Sequence, residues 1–138
     1  MSETVNHANL KTTFVIVDDN QSAESMQVTD NFWPDLDQKY GDFADHSLIA
    51  SFSFDEDWPT WEIHPHGDEI VCLMSGDATM ILDTSDGEKR VRLNEPGAFV
   101  IVPKATWHTA QVHSTTTMIF VTPGQDTENR ETPGSRNG

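Results

Sequence analysis

The chain has 138 residues, with 23 Asp and Glu against eight Lys and Arg, and a formal net charge of -15. A field of that sign repels phosphate backbones and anionic lipid, which excludes nucleic acid and membrane surfaces as expected partners. The length suits one domain, no apolar run is long enough to span a bilayer, and the N-terminal "MSETVNHANLK" lacks the pattern of an export signal, so a cytoplasmic protein is expected.

In chain order, residues 1–11 are polar and are expected to form a flexible N-terminus. The runs "TTFVIVDD" (12–19) and "SMQVT" (25–29) read as strands, and 31–46 reads as a loop with at most one helical turn. Beyond residue 46 come short β-rich runs: "SLIASFSF", "TWEIH", "EIVCLM", "DATMILD", "KRVRL", "GAFVIVP", "TWHTAQVH" and "TTMIFVT". They are separated by "HPHGD", "TSDGE", "NEPG" and "PKA", whose Pro, Gly and Asp suit turns. Residues 123–138 contain no large apolar side chain and are expected to be a disordered tail. The folded unit is placed at 12–122, a single domain of all-β sandwich or barrel type, without internal repeats.

Chemistry concentrates in "WEIHPHGDEIVCLMSG", residues 61–76. On a strand, residues two apart share a face, so Glu62 and His64 point the same way, and the turn that follows returns Glu69 to the same end of the hairpin. His66 lies in the turn, where alternation does not fix its direction; either His66, the candidate catalytic residue, or Asp68 could serve as a pocket acid, base or supporting partner, with ordinary polar turn chemistry the default for each. His108, with small residues on its own face, is a fourth candidate for the cluster. Imidazole and carboxylate together suit first-row divalent metals and leave positions open to water or substrate. The lone Cys72 allows no intrachain disulfide and reads, like Met74, Met80 and Met118, as a core residue, and Trp58, Trp61 and Trp107 read as core or subunit-contact residues. His7, His46 and His113 have no spaced partner and read as surface residues.

The stretch 56–112 resembles the cupin superfamily. Its first motif runs glycine, five residues, His-x-His, three or four residues, Glu, six residues, Gly. Glu69 to Gly76 fits that spacing, His64 takes the second histidine position, Glu62 replaces the first histidine, and Glu56 replaces the opening glycine. Reading His64 and His66 as the histidine pair instead leaves too few residues before Glu69. The second motif, glycine, five residues, Pro-x-Gly, two residues, His, three residues, Asn, fits at Gly97, Pro103 and His108, with Ala105 for the second glycine and Val112 for the asparagine.

The resemblance, carried by 62–76 and 97–112, implies a cupin-like jelly-roll β-barrel (a double-stranded β-helix). It also implies a metal set of Glu62, His64, Glu69 and His108 and assembly as a homodimer. Two nitrogens and two carboxylates make a harder set than three imidazoles, which favours Fe(II) or Mn(II), with Zn(II) or Ni(II) next. The expected function is action on a small polar or carboxylate-bearing molecule by dioxygenase, decarboxylase or isomerase chemistry. The alternatives are a non-catalytic ligand-binding or sensing module and a metal-free dimeric cupin.

Overall fold

The computed structural model describes residues 5–134. Eleven strands and one helix follow one another as β1 (Thr13–Val17), β2 (Ala23–Gln27), α1 (Phe32–Tyr40), β3 (Ser47–Phe54), β4 (Trp61–Ile63), β5 (Glu69–Ser75), β6 (Ala78–Thr84), β7 (Gly87–Leu93), β8 (Phe99–Val102), β9 (Trp107–Val112), β10 (Thr116–Thr122) and β11 (Glu128–Arg130). They form two antiparallel sheets, ordered β2-β1-β3-β10-β5-β8 and β11-β4-β9-β6-β7. From β3 to β11 successive strands alternate between the sheets, apart from the β6-β7 hairpin, the arrangement of a jelly roll. No helix among the described residues is long and apolar enough to cross a membrane.

Alternation along the strands builds the core. In β5, Glu69, Val71 and Leu73 are buried while Ile70 and Met74 face out. Val71 and Leu73 pack with Met80, Leu82, Met118 and Phe120 from β6 and β10 between the sheets. Cys72, expected in the core, falls on the outer phase of β5 and is half-buried, and Met74 is 47% exposed; only Met80 and Met118 fill the interior as expected. Of the histidines read as surface residues, His46 is half-buried against Tyr40 and Phe43.

Two segments differ from their expected form. Residues 32–40 are a helix rather than a loop: Phe32 and Leu36, one turn apart, bury against Phe14, Leu48 and Ala50. Pro34 reads as a breaker, but it lies in the first turn, where a missing N–H breaks no helical hydrogen bond. The expected disordered tail contains β11, which pairs with β4 through Asn129 opposite Glu62. Backbone pairing and polar anchors hold it, so its lack of apolar side chains did not prevent order. Residues 1–4 and 135–138 lie outside the described residues.

Candidate metal centre

Register brings the candidate ligands together. Glu62 on β4 lies directly opposite His108 on β9, and His64 follows β4 with its carbonyl fixed by the Ala105 N–H at 3.0 Å. Glu62, His64 and His108 each bring a ligand atom within 4.8 Å of the others. Glu69, the first residue of β5, stands against both imidazoles: Oε2 is 3.2 Å from His64 Nε2, and Oε1 is 3.1 Å from His108 Nε2. His64, Glu69 and His108 are all buried, and Glu62 is half-buried.

The outer atoms of these side chains are anchored, and the anchors set the inner ones. The Thr127 hydroxyl donates to the Gly124 carbonyl, so its oxygen accepts from His64 Nδ1–H at 2.8 Å. His108 Nδ1–H donates to the Thr106 carbonyl at 3.0 Å. With Nδ1 donating, Nε2 is the atom that each ring turns inward, and it offers a lone pair whenever the ring is neutral. The Thr122 hydroxyl donates to Glu69 Oε2 at 2.6 Å. His64 Nε2, His108 Nε2 and Glu69 Oε1 are buried and have no hydrogen-bond partner: the short separations are in ion-pair range but lack hydrogen-bond geometry. Three converging, unpartnered polar atoms are costly in a protein interior unless something else binds them, and a cation at their common point does so. The residues present thus fit a divalent metal. A further buried orphan, Trp58 Nε1, belongs to the indole set edge-on to His108 at 6.2 Å.

The charges of the metal-free site couple the same groups. Burial pushes the Glu69 carboxyl up, but His108 and then His64 outweigh it and hold it at about 2. Burial pushes His108 down, but Glu69 beside it outweighs this and, with the Thr106 carbonyl and the Glu62 charge, raises it.

His66 is placed outside this group. Its Nε2 meets Asp126 Oδ2 at 2.8 Å and its side chain is 48% exposed. Asp68 accepts from the Lys104 N–H, joining the turn to the loop before β9. Thr122 and Thr127 were missed from sequence. Neither is a metal-ligand type, and Thr127 lay in a segment with no apolar periodicity to suggest structure. Glu62, His64 and Glu69 form part of the wall of a cavity of about 1060 Å³, which Trp58, Phe120 and the segment after β3 also line.

No protein-family model matches the chain, and no curated protein does either. Solved structures do. A cupin-2 domain protein from Shewanella frigidimarina matches at TM-score 0.46 and 15% identity, covering 61% of this chain and 71% of that one. Hydroquinone 1,2-dioxygenase from Sphingomonas sp. matches at 0.47 and 17%, covering 55% of this chain and 58% of the dioxygenase. A variant of oxalate decarboxylase from B. subtilis matches at 0.52 and 17%, covering 61% of this chain, which spans 23% of the decarboxylase. The two sheets, their antiparallel order and the match to the decarboxylase agree on the architecture: this chain has a jelly-roll β-barrel fold of the kind seen in cupin structures.

Proposed function

We propose that the protein binds one divalent metal ion through Glu62, His64, Glu69 and His108 and acts as a metal-dependent enzyme on a small polar molecule in the adjoining cavity. The observation that carries this is the convergence of His64 Nε2, His108 Nε2 and Glu69 Oε1, buried and without partners. The mixed nitrogen and carboxylate set favours Fe(II) or Mn(II) over Zn(II) or Ni(II).

When bound, the metal would supply a Lewis acid with positions open to substrate oxygen or dioxygen. The chain's own residues do the rest. Thr127 and the Thr106 carbonyl hold the two imidazoles in orientation, Thr122 fixes the Glu69 carboxylate, and the aromatic wall limits water around them. The test is metal analysis of tag-free protein, followed by turnover assays on a panel of small phenols, amines and hydroxy acids under air and under nitrogen. Stoichiometric metal with dioxygen-dependent or dioxygen-independent turnover supports the proposal and separates oxidative from non-oxidative chemistry. Metal without turnover would leave a binding module.

A metal-free reading has one observation behind it: Glu69 lies within ion-pair distance of both imidazoles, so a proton on His108 would partly neutralise the triad. Persistent absence of metal after reconstitution with Fe(II), Mn(II) and Zn(II) would favour it.

A further inference from the structure

The wall of the cavity is nearly one-signed. Of the 26 described residues that line it, eight are Asp or Glu, about twice the share in the whole chain, and none of the 26 is Lys or Arg. A divalent ion would balance Glu62 and Glu69. That leaves Asp37 and Asp42 from α1 and the loop after it, Asp55, Glu56 and Asp57 from the segment after β3, and Asp126 before β11.

The hydrogen-bond partners of three of these are neutral and cancel no charge. Asp55 accepts from the Thr115 hydroxyl, Asp57 from the Val112 N–H, and Asp42 from the Ala44 N–H and the Gln125 amide. Asp37 and Glu56 have no side-chain hydrogen bond or ion pair among the described residues. Asp126 meets the His66 imidazole at 2.8 Å. Between these carboxylates the wall is aromatic, with Trp33, Phe52, Phe54, Trp58 and Phe120. Acidic residues alone would describe a solvated surface. Here the same wall also holds His64 and Glu69, each more than nine-tenths buried and each with an unpartnered polar atom, which marks it as a place where a ligand sits.

We infer that the molecule taken into this cavity is a small organic cation, an amine or quaternary ammonium on an apolar body. Carboxylates attract it, aromatic side chains accept it, and the described wall offers no Lys or Arg to counter the charge of a free carboxylate. A substrate carboxylate is accommodated only where it reaches the metal and a cation elsewhere on the same molecule meets the acidic wall. The inference rests on the proposed metal centre in taking the same cavity for the substrate and in reading the unpartnered His64 and Glu69 atoms as the mark of a ligand site.

The test uses benzyltrimethylammonium, which cannot coordinate a metal, against benzyl alcohol and phenylacetate, by calorimetric titration at low salt into the full chain, metal-free and Mn(II)-loaded. In the metal-free protein the cation is expected to bind about tenfold or more tighter than phenylacetate, with the preference shrinking at high salt as the charges are screened. The double variant Asp37→Asn/Glu56→Gln, checked by circular dichroism, should cut the preference about fivefold, the size expected for two partly solvated charges. Phenylacetate binding as tightly as the cation in the metal-free protein, an unchanged preference in the double variant, or no cation binding at millimolar concentration would each overturn the inference. If the protein takes up no metal yet keeps its cation preference, the metal centre fails and this inference stands. Metal uptake without cation preference reverses that outcome.

Discussion

Single residues decide how well this barrel holds its site. Ala105 adopts φ 57°, a left-handed conformation that costs an L-residue roughly 1 kcal/mol or more, at the position where the resemblance places glycine. Its N–H fixes the His64 carbonyl, so the strain sits one hydrogen bond from a candidate ligand. Ala105→Gly is expected to stabilise the protein by about 1 kcal/mol, raising Tm by about 3 °C in a thermal melt; a lowered Tm would show the strain is absent. Gly76 is different in kind. At φ 100° a Cβ there would collide with the Thr115 backbone oxygen and Thr116, which accounts for the glycine that ends the first motif. Strand alternation made Glu62 and His64 legible as one face, and the Glu69 to Gly76 spacing fixed their register. Thr127 was illegible because a hydroxyl that orients an imidazole leaves no spacing pattern.

Among elements, β11 matters most for function. It closes one edge of the smaller sheet, and Thr127, just before it, holds His64 Nδ1 at 2.8 Å. Thr127→Val keeps the shape and removes the acceptor. Metal affinity is expected to fall about 10- to 100-fold, with Thr127→Ser restoring it, in competition titrations against a chromophoric chelator. Equal affinity in all three proteins would show that His64 needs no support from the C-terminal segment. The strands from 47 to 122 were legible because their apolar alternation is bracketed by turn residues. The helix at 32–40 and β11 were not: one carries a proline inside its first turn, and the other is held by backbone pairing and polar contacts that no hydrophobic period announces.

At the scale of the whole molecule, charge and outer faces set behaviour in solution. The -15 charge was legible at once, but the cavity draws its carboxylates from separated segments between Asp37 and Asp126, so their assembly on one wall was not. On the outer face of β5 and β8, Ile70 lies opposite Ile101 and Cys72 opposite Phe99, with Ile70, Met74, Phe99 and Ile101 exposed along the free edge of the larger sheet. We propose that a second copy covers this face, since one apolar patch at a sheet edge pairs with itself about a two-fold axis. Sedimentation velocity should find a dimer that Phe99→Asp dissociates; a monomeric native protein would contradict this.

Stability should also follow pH in a defined way. Glu69, held at about 2 against an ordinary 4.5, contributes stability above the ordinary value that is lost as pH falls towards 2, roughly 3 kcal/mol for a shift of that size. His108, raised above 6.5, contributes below that value and loses its contribution as pH climbs through its higher folded value. The triad of the metal-free protein therefore contributes most between about 4.5 and 6.5. On the proposed metal centre, uptake would displace the His108 proton, so affinity is expected to rise with pH across the range where that contribution fades. Urea midpoints from pH 3 to 9, with and without Mn(II), check this. A metal-free midpoint that rises steadily above pH 7 would contradict it.

In the proposed metal centre His64, with Glu62, Glu69 and His108, holds the ion, whereas His66 does not. Elemental analysis of tag-free native protein and of His64→Ala, His66→Ala, Glu62→Ala and Glu62→His, each confirmed folded by circular dichroism, tests it most directly. Stoichiometric metal is expected in the native chain and in His66→Ala, none in His64→Ala, partial occupancy in Glu62→Ala, and occupancy restored or tightened in Glu62→His. Metal retained in His64→Ala, or lost in His66→Ala while Glu62→Ala keeps it, would contradict the account.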